Sequence, residues 1–478
     1  MSDAKKVRTR FAPSPTGYMH IGNLRTALYT YLIAKKNNGS FILRIEDTDQ
    51  ERYVEGAVDV IYSTLKKAGL KWDEGPDVGG EYGPYVQSER MGMFKDYALK
   101  LVESGHAYYC FCDKDRLDEV RKIQEASHIA PMYDRHCRNL SKEEIEEKLA
   151  AGVPYVIRQK MPLEGTTTFH DEIYGDITVD NSELDDMVLR RADGMPTYNM
   201  AVVVDDHDMG VTHVLRGDDH VSNTPKQILL YQALGFDLPT FGHVPMILGP
   251  DRQKLSKRHG ARAVIEYEQD GLLPQALVNY LVRLGWSHGD QEIFSMDELV
   301  HLFDGTSLNS AAAAFDPEKL QWLNAHYLRE TPPARIAEMV EPFMEKKGVS
   351  LDRGMLEKLV PLYRERSANL VELAEDMALY QPGADVECEE KAAKSLTDEG
   401  KGHIAALRGI FAGLAEFDEA SLEAAIHEYV EKGGLKFKQG GPPVCAALIG
   451  RAGGPSVHLT LCALGREESL RRLDRVLA

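Results

Sequence analysis

No uninterrupted apolar stretch in this chain approaches the roughly 18 residues that would span a bilayer, so membrane-embedded functions are not expected. Cysteine is scarce, six in 478 residues, which is too few for a disulfide framework and suits a reducing compartment. Met1 to Arg10 has no apolar signal core and runs directly into strand-like sequence, so no secretory segment is expected and the location expected is cytoplasmic. Net positive charge is missing too: 56 Lys and Arg against 75 Asp and Glu leave −19, superficially unlike a nucleic-acid binder. There is no Gly-x-x-x-x-Gly-Lys-Ser/Thr, so any nucleotide phosphate must be held without a P-loop, and there is no internal repeat of fixed period. What remains is ordinary globular composition, 43% hydrophobic and 27% charged, long enough for about three or four domains with cores of their own.

The first half alternates short apolar runs with helical periodicity. Val7 to Ala12 reads as a strand, Leu24 to Lys35 as a helix, Phe41 to Ile45 as a strand, and Val54 to Ala68 as a helix carrying Val58, Ile61 and Leu65 on one face. That order implies a parallel α/β sheet. From Cys110 to Val188 the regularity breaks. A charged helix over Asp113 to Glu125 leads to Met132-Tyr-Asp-Arg-His-Cys137 and then to Thr- and Asp-rich strands around Thr166 to Val179, an insertion between two halves of the sheet. Strand-like sequence returns at Tyr198 to Asp205 and Val211 to Arg216, followed by a helix from Lys226 to Leu234. Beyond about residue 265 helical spacing dominates, as in Leu356, Leu359 and Tyr363 or Leu422, Ile426 and Tyr429, with Gly433-Gly434 as a stop.

Two segments carry chemistry. Arg10-Phe-Ala-Pro-Ser-Pro-Thr-Gly17-Tyr-Met-His-Ile-Gly-Asn23 lies between the first strand and the first helix, whose unpaired N–H groups and dipole favour a phosphate. His20 can reach such a phosphate and Gly22 lets a flat base approach; a Pro/Gly turn with an incidental histidine is the plainer reading. Gly249-Pro-Asp-Arg-Gln-Lys-Leu-Ser-Lys-Arg-His-Gly260 is either a solvated basic loop or a mobile cationic clamp, with Lys254 and Lys257 flanking Ser256, for a polyphosphate leaving group.

Together these segments resemble the His-x-Gly-His and Lys-Met-Ser-Lys-Ser motifs of class I aminoacyl-tRNA synthetases, here His20-Ile-Gly-Asn23 and Lys254-Leu-Ser-Lys-Arg258. With Leu43-Arg-Ile-Glu-Asp-Thr-Asp49, Asp73-Glu-Gly-Pro-Asp-Val-Gly-Gly80, Pro196-Thr-Tyr-Asn199 and Val204-Asp-Asp206, the chain resembles bacterial-type glutamyl-tRNA synthetases from about residue 7 onward, most densely to about residue 330. Asn23 stands where the motif has its second histidine, a position where small or polar residues are usual in this family.

The resemblance implies an α/β fold: a class I, Rossmann-type nucleotide-binding domain in two halves (1–109 and 191–262) split by an α+β insertion that meets the tRNA acceptor end (110–190). A stem-contact helical domain (263–328) and an all-α anticodon-binding half of two subdomains (329–478) follow. It implies that glutamate's α-carboxylate attacks the α-phosphorus of ATP, releasing pyrophosphate, and that a terminal ribose hydroxyl of tRNA(Glu) then takes the glutamyl group. The partners implied are tRNA(Glu), L-glutamate and ATP with Mg²⁺, with no membrane, and the chain is expected to be a monomer. No protein nucleophile is needed, so catalysis rests on placement and charge stabilisation. The catalytic set is then His20, Asn23, Lys254 and Lys257, and ATP meets His20, Gly22, Asp219, Lys254, Ser256 and Lys257.

Glutamate needs a cation for its side chain and an acceptor for its ammonium. Arg10 and Arg216, each near the end of a strand, can converge at the C-terminal edge of a parallel sheet, although either alone reads as a structural ion pair. By resemblance Arg10, Tyr198 and Arg216 take the side chain and Glu46 the ammonium, with Ala12 and Ser14 lining the pocket. Cys110, Cys112 and Cys137 leave one ligand to find for a structural Zn²⁺. A Tyr-x-x-x-Cys pair in the wider family favours Tyr133 over His136, and a metal-free remnant is the alternative. Asp205-Asp206-His207-Asp208, expected at a strand end, and Asp218-Asp219 are expected to shape the adenylate pocket rather than bind a dedicated metal. Arg366 aligns with a position that reads the last anticodon base, or lies on a solvated helix face.

Alternatives are a non-discriminating form that also glutamylates tRNA(Gln) and, remotely, a non-catalytic tRNA-binding paralogue. Ala12, Ser14 and Thr16 disfavour a glutaminyl enzyme. The charge is unevenly spread: residues 1–44 carry +7, 251–262 carry +4 and 431–478 carry +4, so the other 374 carry −34 and the average conceals basic surface along the expected ATP and tRNA paths.

Overall fold

The computed structural model describes residues 6–255, 262–434 and 437–478. The chain divides into two compact units, one running to Glu266 together with Val278–Asp316, the other comprising Tyr267–Leu277 and Pro317–Ala478. The segment 263–328, expected to form a helical domain of its own, is therefore shared between them.

The first unit is built on a six-stranded sheet ordered Ser40–Leu43, Arg8–Phe11, His213–Gly217, Thr240–Val244, Thr166–Asp171 and Gly175–Asp180. The first five strands run parallel. Arg8–Phe11 reaches its parallel neighbour Ser40–Leu43 through the helix Ile21–Lys36, because a hairpin turn cannot join parallel strands. All four residues of Ser40–Leu43 are buried, as in a strand covered on both faces. Beside Arg8–Phe11 the order reverses, one successor lying on each side, and a crevice opens at the strands' C-terminal ends.

Two features differ from the sequence reading. Residues 166–180, expected within the insertion, form a hairpin that joins the main sheet through Asp171 opposite Phe241. Around them, Ala107–Cys110, Val156–Gln159 and Val188–Arg190 form a separate antiparallel sheet. Second, Tyr198 to Asp205, expected as a strand, belongs to the helix Tyr198–Asp208. Val202-Val203-Val204 supplies the β-branched signal, but Met200 through Asp206 are all buried, and a helix enclosed on every side has no amphipathic period to reveal it.

The second unit is helical in its described residues. Leu356, Leu359, Leu373 and Met377 meet at the spacing the sequence shows, on Arg353–Tyr363 and Leu370–Ala378. Arg472, fully buried, ties it together by donating to Glu468 at 2.7 Å and to the carbonyls of Leu379, Leu448 and Gln381 at 2.6, 2.6 and 2.9 Å. No described helix is long and apolar enough to cross a membrane.

Candidate active site

His20 is the N-cap of Ile21–Lys36, and its Nδ1 accepts the backbone N–H groups of Gly22 at 3.1 Å and Asn23 at 3.3 Å. A ring nitrogen that accepts carries no proton, so the proton sits on Nε2 and the opposite ring edge is a donor. The ring is exposed within the cavity; the crowding of protein around it, with Lys254 nearby, lowers its pKa from the usual 6.5 against a weaker pull from Asp219. Gly22 has a reason beyond the approach of a base: a Cβ there would lie 3.0 Å from the His20 ring.

This helix end forms one wall of a cavity of about 990 Å³. Arg10, Ala12, Ser14, His20, Gly22, Asn23, Glu46, Tyr198, Arg216, Asp219 and Lys254 all line it, so the structure brings together residues scattered over 245 positions of sequence. Ser256 and Lys257 lie outside the described residues.

At the floor, charges alternate. Arg10 Nε lies 3.1 Å from Asp206, Arg44 bridges Asp206 at 2.8 Å and Glu46 at 3.1 Å, and Arg90 holds Asp205 at 2.7 Å. Burial works against the charge of Arg44, but Asp206, Glu46 and Asp205 outweigh it and hold the guanidinium protonated. Burial raises the pKa of Asp205 and of Glu46, whereas Asp206, clasped by two arginines, falls below the ordinary carboxylate range despite its burial. Asp205 and Asp206 are thus internal counter-charges on a helix and do not wall the pocket; buried carboxylates persist only when paired in this way.

Arg216 differs. It is 5% exposed, and its hydrogen-bond partners are Tyr198 Oη (3.3 Å), Thr224 Oγ1 (2.7 Å), Gln227 Oε1 (2.8 Å) and His243 Nε2 (3.2 Å), with no carboxylate among them. Burial lowers its pKa. A buried guanidinium held by neutral groups at a cavity wall is arranged to receive an anionic ligand group.

Outside the cavity, the Sγ atoms of Cys110, Cys112 and Cys137 lie within 4.8 Å of one another. Tyr133 Oη is 3.2 Å from Cys110 Sγ and 3.3 Å from Cys112 Sγ. Tetrahedral zinc with Zn–S near 2.3 Å places sulfurs about 3.8 Å apart, and Cys112 and Cys137 are 3.6 Å apart, so this donor set fits the ion. In the second unit Arg366 lines a pocket of about 290 Å³ with Tyr363, Arg451, Asp376 and Gly453-Gly454.

Sequence reasoning missed the supports: Asp206 for Arg10, and Thr224, Gln227 and His243 for Arg216. Their only sequence signal is a polar residue inside an otherwise apolar element, as with His243 in Thr240–Val244.

Comparisons with known proteins follow the same lines. Residues 6–322 match the family of class I tRNA synthetases (E and Q), catalytic domain, and residues 335–477 match an anticodon binding domain. The chain is 56% identical over 475 residues to a glutamate–tRNA ligase of Nitratidesulfovibrio vulgaris, with 99% of each chain covered. It is 48% identical to one of Clostridium novyi, covering 98% of this chain and 97% of that one. The crystal structure of a glutamate tRNA ligase from Elizabethkingia meningosepticum in complex with its amino acid matches with a TM-score of 0.89 at 35% identity, over 99% of both chains. The chain belongs to the glutamate–tRNA ligase family of class I tRNA synthetases.

Proposed function

We propose that this chain activates L-glutamate with ATP and transfers it to tRNA(Glu), working in the cytoplasm. The observation that carries the reading is the anion-seeking Arg216 facing the same cavity as the His20-capped helix end. Glutamate's side-chain carboxylate meets Arg216, Tyr198 and Arg10, while Glu46, beside Arg44, accepts from the ammonium. The α-carboxylate is thereby held toward the α-phosphorus of ATP. His20 Nε2–H donates to the phosphates at the positive end of the helix dipole, Asp219 meets the ribose, and Lys254 draws charge toward the departing pyrophosphate, in company with Ser256 and Lys257. Mg²⁺ arriving with ATP neutralises its phosphates. Arg366 shares its pocket with Arg451 and with the carboxylates Glu372, Glu375 and Asp376, a mixed-charge lining with donors and acceptors for the edge of an anticodon base, and zinc on Cys110, Cys112, Cys137 and Tyr133 would brace the small antiparallel sheet. Pyrophosphate exchange dependent on glutamate, measured with and without tRNA(Glu), tests the reading; absence of exchange in both conditions overturns it. Parallel charging of tRNA(Gln) decides between the discriminating and non-discriminating forms.

A further inference from the structure

Arg216, His243 and Asp171 stand in a row across three adjacent parallel strands. Arg216 is the register partner of His243, and Asp171 enters one strand further along, opposite Phe241. All three are buried: Arg216 at 5% exposure, His243 and Asp171 at 0%. The hydrogen bonds fix the protons. Arginine Nε–H can only donate, so His243 Nε2, 3.2 Å away, accepts; Thr224 Oγ1, which itself accepts from Arg216 Nη2, lies 2.9 Å from the same nitrogen and has a hydroxyl proton to give it. The imidazole proton then sits on Nδ1, which faces Asp171 Oδ2 at 2.5 Å. Asp171 is fixed in turn, since its other oxygen accepts the backbone N–H groups of Ile173 and Tyr174, each at 2.9 Å. An imidazolium would aim a second N–H at the Arg216 Nε–H. Burial, which lowers the His243 pKa, also favours the neutral ring.

We propose that Asp171 and His243 are positioning residues for amino-acid specificity, in which the carboxylate sets the tautomer of His243 and the ring fixes the guanidinium plane of Arg216 for a ligand carboxylate. The proposal rests on the reading that glutamate's side chain binds at Arg216. Nδ1–H and Nε2 form a one-way chain, donor toward Asp171 and acceptor toward Arg216. With Arg216 Nη2 spent on Thr224 and Gln227, the Nη1 side beside Tyr198 is the edge left toward the cavity. A ligand with a neutral amide in place of the carboxylate leaves that charge unmatched, and a guanidinium free to rotate would tolerate it better.

Asp171→Asn tests this with almost no change of shape. The two backbone donors keep the amide oxygen where Oδ1 now lies, so the NH₂ group faces His243 Nδ1. The ring proton is driven to Nε2, against the Arg216 Nε–H; loss of activity through a wrong tautomer has precedent in an Asp-to-Asn change in a catalytic triad. The expected results are a His243 ¹⁵N signature of the Nδ1–H form in the wild-type chain and of the Nε2–H form in D171N. The KM for glutamate in pyrophosphate exchange should rise at least tenfold with the KM for ATP unchanged, and the preference for glutamate over glutamine should narrow. An unchanged tautomer, an unchanged glutamate KM, or equal rises in both KM values overturns the proposal. If D171N does not fold, His243→Gln, which keeps an acceptor for Arg216, is compared with His243→Leu, which keeps none; equal glutamate KM values overturn it. A wild-type chain inert toward glutamate overturns the underlying activity, whereas an active wild type with an unaffected D171N overturns only the positioning role.

Discussion

Arg10 and Asp206, 196 residues apart in sequence, meet at 3.1 Å with their side chains 4% and 3% exposed. The pair fastens the first strand to the helix Tyr198–Asp208 and leaves Arg10 neutralised before any ligand arrives. Asp206→Asn keeps the shape but leaves Arg10 and Arg44 short of one counter-charge. Breaking one side of a buried ion pair costs about 3–5 kcal/mol, and urea unfolding of this variant should show a loss of that order.

Arg216→Ala should lower kcat/KM for glutamate in pyrophosphate exchange by about 10³-fold or more, equivalent to roughly 4 kcal/mol. ATP binding measured by calorimetry should persist. Unchanged glutamate kinetics would remove Arg216 from the pocket.

His20 gives a pH prediction. Its folded pKa lies below 6.5, so between the two values the unfolded chain binds more protons and stability rises with pH. The contribution of its cap is complete above the unfolded pKa near 6.5 and is lost as pH falls from there toward the folded pKa. NMR of ¹⁵N-labelled histidine should show an Nε2–H tautomer at pH 7 and titration below 6.5; an imidazolium at pH 7 would contradict the cap geometry.

Purification without chelator should yield about one zinc per chain, and Cys112→Ser should lower the content sharply. Tyr133→Phe tests the phenol alone: zinc retained at full stoichiometry would show that the three thiolates suffice. Stripping the metal should destabilise the sheet Ala107–Cys110, Val156–Gln159 and Val188–Arg190 while leaving ATP binding unaffected.

Arg366→Ala should raise the KM for tRNA(Glu) about tenfold or more, leaving the KM for ATP and glutamate measured at saturating tRNA unchanged. Equal effects on all three would assign Arg366 to folding of its unit.

The residues that line the cavity were legible because backbone turns and strand ends announce themselves locally. Arg10, His20 and Asn23 flank one Pro/Gly-marked turn, at the end of a strand and the start of a helix, and Arg216 closes a β-branched run before Gly217. Their supports were not legible. Asp171 and His243 are 72 residues apart and pair only because the hairpin 166–180 lies beside Thr240–Val244 in the sheet. The helix Tyr198–Asp208 escaped for a related reason: burial on every face erases the periodicity that distinguishes helix from strand, and Asp205 and Asp206 gave no hint that their partners were arginines on other elements.

The hairpin also bears on how the protein can be cut. A truncation that removed 110–190 as a detachable module would take two strands from the main sheet and strip the hydrogen-bonding partner from one side of Thr240–Val244. The exposed edge, four of its five residues buried in the intact chain, would be an open template for intermolecular pairing. A minimal catalytic fragment must therefore keep residues 166–180, spliced to the core by a new linker, or it will aggregate before its activity can be measured.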